Sequence, residues 1–199
     1  MSFIISPVIT EDDEEAVMYL KHQVFSIEMG IPMSKLKLPE TPTALELLAR
    51  EESSGNPIAA LTLLETSGDK SVHRKYSLAF RPDARSVRYT QLCVLRAFRG
   101  RGLSIRLILE GHRLLVEPGE FDYSWLLFNA QLASTSLLCQ LLKFSPGAVS
   151  VGSEMGRSRV LIRNERLQDC KDAIRRAESF LVDSNEPSYP LKQAYSLID

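Results

Sequence analysis

Two rhythms of apolar residues alternate along the chain. "SFIISPVI" is a short apolar run and predicts a first strand. Thr10, with Asp13 three residues on, has the spacing of a helix capping box, and Val17, Leu20, Val24, Phe25 and Ile27 then recur at helical intervals. Residues 11–28 therefore read as an amphipathic helix, ended by Gly30 and Pro32. "SKLKLPETP" reads as a loop, because its prolines deny regular structure. "TALELLAR" and "PIAALTLLET" flank the turn-favouring "EESSGN" and predict a hairpin. After the polar "TSGDKSVHRK", "YSLAF" reads as a short strand stopped by Pro82.

The second half keeps alternating. "SVRYTQLCVL" is rich in β-branched and aromatic residues and predicts a strand that runs into "RAFRGRG". From Leu103 to Val116 the period is helical, until Pro118 and Gly119 stop it. "FDYSWLLFNA" predicts a buried strand with Trp125 and Phe128 in the core, "QLASTSLLCQLLKF" a helix, and "AVSVGS" with "RSRVLIRN" a final hairpin. Asn164 then caps a last helix over residues 165–182, with Leu167, Cys170, Ile174, Ala177 and Leu181 on one stripe, before an irregular tail. This order suits an α/β sheet with helices on both faces.

Composition narrows the reading. The 199 residues, 44% hydrophobic, suffice for one domain with its own core. Charge is balanced, 24 Lys and Arg against 25 Asp and Glu, so nothing in the whole-chain balance draws it to nucleic acid or membrane. The charge is unevenly spread, however: between Arg74 and Arg106 nine basic residues stand against a single acid, Asp83. Cys93, Cys139 and Cys170 lie far apart, without a Cys-x-x-Cys pair or a histidine at ligand spacing, which argues against disulfides and a metal site. No stretch approaches the ~18 apolar residues of a membrane span, and the N-terminus turns acidic too soon for a signal peptide, so the expected location is the cytoplasm.

The basic surplus surrounds "FRGRGLS", a glycine-bearing turn between a strand and a helix. There the first free N–H groups of the helix converge on one spot, where about half a positive elementary charge also gathers. Gly100 and Gly102 leave room for a phosphate to approach the amides of residues 100–104, and Arg99 and Arg101 add charge-assisted contacts, so pyrophosphate is the natural guest. The lysine of a P-loop and the three-glycine dinucleotide spacing are both absent. A solvated, arginine-decorated turn is the alternative.

"LCVLRAFRGRGLSIRLILEG" resembles the acyl-CoA-binding segment of the GNAT superfamily of N-acyltransferases, whose signature is Arg/Gln-x-x-Gly-x-Gly/Ala. Arg99 and Gly102 match it, and Ser104 stands where Gly or Ala is usual. "LKHQVFSIEMGIP" is similar to the Arg-x-x-Val-Phe-x-x-Glu-x-Gly-x-Pro opening of one bacterial subgroup, with Lys21 for Arg. "FNAQLASTSLLCQLLKF" resembles that subgroup's Asn-Ala-Gln segment, and a weaker likeness runs to acyl-homoserine-lactone and N-acyl amino acid synthases. The resemblance covers roughly residues 3–163. It implies a mixed, mostly antiparallel central sheet with helices on both faces, and acetyl-CoA or another acyl-CoA as cosubstrate without a metal. It also implies that the amides of Gly100, Arg101, Gly102, Leu103 and Ser104 hold the CoA pyrophosphate. The backbone of Cys93 and Val94 would pair with the pantetheine arm, and the Asn129 amide would bridge exposed backbone where two strands splay.

Family members commonly place a carboxylate on the strand before the turn and a tyrosine on a later helix. "RYTQLCV" carries no acid, and the tyrosine position falls at Leu138 or Cys139. Candidates for proton transfer are Cys139 as donor and Glu28 as a base through water, against readings as a core cysteine and a solvated helix-end glutamate. Tyr89 and Gln91 alternate on their strand and are candidates for the acceptor side. His22, His73 and His112 carry no convincing pattern.

The expected function is transfer of an acyl group, acetyl above all, from acyl-CoA to a small primary amine or amino-acid-like acceptor by direct attack in a ternary complex. The alternative is a GNAT-fold acyl-CoA-binding or interaction protein without turnover, and nucleic-acid binding through the basic stretch ranks last. Residues 1–163 are expected to form the acyltransferase-like domain. Residues 164–199 are expected to pack on it or at a homodimer contact.

Overall fold

The computed structural model describes residues 2–36, 43–68, 70, 83–129, 145–153, 156–164 and, between 171 and 179, all but Ala173 and Ala177. One sheet of seven strands organises them: β1 (Phe3–Pro7), β2 (Thr43–Glu51), β3 (Pro57–Glu65), β4 (Ser86–Val94), β5 (Tyr123–Asn129), β6 (Ser145–Ser153) and β7 (Gly156–Asn164), in the order β1-β2-β3-β4-β5-β7-β6. Every pairing is antiparallel except β4 with β5. The β2–β3 and β6–β7 hairpins lie where the alternating patterns put them. "YSLAF", the expected helix from Gln131 and the C-terminal tail lie outside the described residues.

Strand alternation sorts the apolar side chains onto two faces. Leu47, Ala49, Ala59, Leu61 and Leu63 face helix α2 (Leu103–Gly111), against Leu107, Ile108 and Leu115. Leu48, Ala60 and Cys93 face helix α1 (Glu11–Lys21), against Val17, Leu20 and Val24. Each fully buried Leu or Ile contributes about 1.5–3 kcal/mol, and helices on both faces enclose the middle strands.

The start of α1 follows its sequence. Thr10 Oγ1 accepts from the Asp13 N–H at 3.2 Å, and the Asp13 carboxylate accepts from the Thr10 N–H at 3.3 Å, closing the capping box. Arg50 donates to the same carboxylate at 2.8 Å and, with Thr10, holds the Asp13 pKa down to about 2.

Both long helices continue past their α-helical part as wide π-helical segments, His22–Glu28 and His112–Val116. The wider turn rotates the residues that follow relative to a 3.6-residue stripe. Ile27, expected on the buried stripe, is consequently 64% exposed. The loop after α1 contains one 3₁₀ turn, Met33–Leu36. The described residues between 171 and 179 are helical, with Ile174 buried in the core beneath α2 and Glu178 accepting from Arg113. No helix among the described residues is long and apolar enough to cross a membrane.

Candidate functional site

The β4–β5 ladder is short. It pairs Ser86 with Tyr123 through Tyr89 with Leu126 and then stops, although β4 runs on to Val94 and β5 to Asn129. A bulge in β4 accounts for the divergence: Thr90 opposes Thr62 and Cys93 opposes Ala60, so Gln91 and Leu92 together stand opposite Leu61. Gln91 takes a φ of 49° there, and such a bulge bends and twists its strand. From Thr90 to Val94 the β5-facing edge of β4 is thus released from β5, and a cleft opens between the two strands.

At the end of that edge lies the glycine turn. The Leu95 N–H donates to the Ile58 carbonyl at 3.0 Å, a 3₁₀ turn (Arg96–Phe98) follows, and Gly100 and Gly102 adopt φ values of 76° and 73°. Left-handed backbone favours glycine, because a Cβ there crowds the following carbonyl. Gly102 is the N-cap of α2, and no side chain caps the helix. The opening amides of α2 therefore point outward unclaimed by any cap, with Leu103 buried behind them.

Two side chains shape the mouth. Arg99 donates from Nε to the Val94 carbonyl at 2.9 Å and from Nη2 to Glu28 at 2.6 Å, tying the turn to both β4 and the end of the first helix. Arg101 lies over the Phe98 ring at 5.7 Å. The structure thus brings together Cys93, Val94, Arg99, Gly100, Arg101, Gly102, Leu103 and Ser104, while Asn129 ends β5 opposite Ser158 of β7. Only the Cys93 backbone can serve the cleft, since its side chain is buried under α1 and burial pushes its thiol up to about 12.

The acid–base candidates fare differently. Glu28 is an exposed helix-end residue, as its solvated reading has it, and pairs there with Arg99. Tyr89 does not line an acceptor side: it is 4% exposed in the α2 core, stacked on His112, its hydroxyl 2.6 Å from Nδ1 of that ring. Alternation put Tyr89 and Gln91 on one face, and the bulge separates them. Cys139 and Leu138 lie outside the described residues. Gln91 remains at the cleft, with Nε2 donating to the Leu36 carbonyl at 2.6 Å. Sequence reasoning missed the Arg99–Glu28 pair, which links residues far apart in the chain. It also missed a polar cluster under α1, where Glu46 accepts from Lys21 at 2.7 Å and from Thr62 at 2.5 Å.

The sequence matches no family model and no curated protein. Its structure, in contrast, is similar to many solved ones. FeeM, an N-acyl amino acid synthase from uncultured soil microbes, superposes with a TM-score of 0.65 over 89% of this chain and 98% of its own, at 11% identity. Escherichia coli ElaA gives 0.61 over 82% of this chain and 100% of its own, at 14% identity. Arabidopsis thaliana NAA60, in complex with acetyl-CoA, gives 0.58 over 82% and 98%, at 13% identity. A sheet in this order, split between its one parallel pair and feeding a glycine turn, is the acyl-CoA N-acyltransferase fold of GNAT proteins.

Proposed function

We propose that the protein is an N-acyltransferase that moves an acyl group, acetyl above all, from acyl-CoA to a small primary amine or amino-acid-like acceptor. The observation that carries this reading is the uncapped mouth of α2, with its two left-handed glycines, at the end of the β4 edge that β5 has left. The amides of Gly100 to Ser104 hold the pyrophosphate, and Arg101 adds charge. Arg99 acts chiefly as a latch that fixes the turn, through Val94 and Glu28. The pantetheine arm lies along the backbone of Val94 and Cys93, and Asn129 closes the far side. That NAA60, which shares the fold, forms a complex with acetyl-CoA supports an acyl-CoA as the ligand.

In the transfer, the amine nitrogen attacks the thioester carbonyl carbon, the C–S bond breaks, and the thiolate takes the proton that the nitrogen sheds, through water. Residues 1–163 form the catalytic domain, and residues 164–199 pack on it or at a homodimer contact. Glu28 supports a second reading: its carboxylate is engaged by Arg99, which favours an acyl-CoA-binding protein without turnover.

Calorimetry with acetyl-CoA and a thiol-release assay over a panel of primary amines separate the two readings. Gly102→Ala is expected to weaken acetyl-CoA binding tenfold or more, since forcing a Cβ into left-handed backbone costs about 1–2 kcal/mol and moves the amides. Gly55→Ala, at a φ of 71° in an open turn, controls for strain and leaves binding unchanged. Binding with thiol release supports the transferase, binding without it the second reading, and no binding ends both.

A further inference from the structure

Gln91 carries three features that neither packing nor the phosphate cradle requires. Among the described residues it is the one non-glycine with a positive φ, and such strain persists only where its surroundings impose it, often at functional sites. Its Oε1 is buried without a hydrogen-bond partner, a state that folded proteins rarely leave unpaid. Its Nε2 is fixed on the Leu36 carbonyl, so the amide cannot turn over to hide that oxygen. Gln91 also stands just beyond the last β4–β5 pair, at the head of the cleft. The strand from Gln91 to Val94 spans about 10 Å at ~3.3 Å per residue. An arm anchored by its pyrophosphate at Gly100 to Ser104 and laid back along β4 brings its thioester to this bulge.

We propose that Gln91 orients the acceptor: its Oε1 accepts an N–H of the incoming primary amine and aims the nitrogen lone pair at the thioester carbon. This rests on the acyl-CoA reading above. An amide oxygen is too weakly basic to take the proton, so Gln91 positions the amine and water carries the proton away. The 3₁₀ turn Met33–Leu36 forms the wall beside it, because Leu36 is where the side chain is held. The acceptor therefore enters from the side of the segment that follows the first helix.

Two CoA thioethers test this by calorimetry. One carries S–CH₂–C(O)–NH–CH₃, with the N–H that the attacking amine would present, and the other S–CH₂–C(O)–O–CH₃, which lacks it. The wild-type protein is expected to bind the amide about tenfold more tightly than the ester, the worth of one hydrogen bond. Gln91→Gly removes the amide and relieves the positive φ, so its backbone is not strained. It is expected to bind CoA as the wild type does and to lose the amide preference. Gln91→Asn, tolerant of positive φ but too short, is expected to do the same. No preference in the wild type, or a preference kept in Gln91→Gly, overturns the assignment. CoA binding lost in both variants but kept in the wild type overturns it in favour of a purely structural Leu36 contact. Failure of the wild-type protein to bind CoA overturns the acyl-CoA reading, and this assignment with it.

Discussion

Lys21 shows how a single side chain can run against its pattern. It lies 6% exposed beneath the sheet, with its ammonium on Glu46 and Glu46 also holding the Thr62 hydroxyl. The Glu46 side chain is 21% exposed, and a carboxylate so largely removed from water is costly without its cation, whereas the intact pair roughly offsets its own desolvation. Lys21→Met is therefore expected to lower the unfolding free energy by about 3 kcal/mol, and Lys21→Met with Glu46→Leu to recover most of it, both read from urea denaturation. Cys93 belongs to the same layer, and burial keeps its thiol protonated at neutral pH, so it is no nucleophile. None of this was legible in the sequence, where Lys21 is one polar residue within the expected helix 11–28 and its partner stands on β2, far along the chain. The capping pair Thr10 and Asp13 was legible, because both members lie within one turn.

Among the elements, α2 packs tightly on the sheet at Gly111. A Cβ there would come within 3.0 Å of Leu63 Cδ2 and of Tyr89 Cε1. Tyr89 cannot give way freely, since His112 stacks on its ring and holds its hydroxyl. Overpacking costs about 1–3 kcal/mol and the helix gains about 1 from alanine, so Gly111→Ala is expected to destabilise by about 1 kcal/mol. Leu63→Ala vacates the space, and a double-mutant cycle should show the two changes coupled. Element boundaries were read well where turn residues mark them, at the β2–β3 hairpin and at the mouth of α2. The π-helical segments and the β4 bulge were not, because both insert a residue without a compositional sign. Glycine announces a left-handed backbone at Gly100 and Gly102, while Gln91 adopts one in silence.

At the scale of the molecule, the order of the described strands and helices followed from periodicity, and the uncapped glycine turn from the strand and helix around it. The setting of Gln91 did not, since it depends on how β4 bends away from β5 and on what Leu36 presents. Among the described residues of the C-terminal segment, Ile174 joins the core that includes α2 and Glu178 meets Arg113. Deleting residues 165–199 is expected to expose that apolar surface, raising the binding of a hydrophobic dye and lowering Tm. A truncated chain with unchanged Tm and no dye binding would overturn this.

The short parallel ladder has an optical side. Trp125, the only tryptophan in the chain, is fully buried within it opposite Arg88, whose guanidinium lies 5.1 Å over the ring, while Nε1 donates to Thr66 at 3.0 Å. Any parting of the two strands admits water to the indole and moves a cation across its face. The protein thus carries its single tryptophan within the short parallel ladder, and under excitation selective for tryptophan its emission colour reports any parting of those two strands without a label.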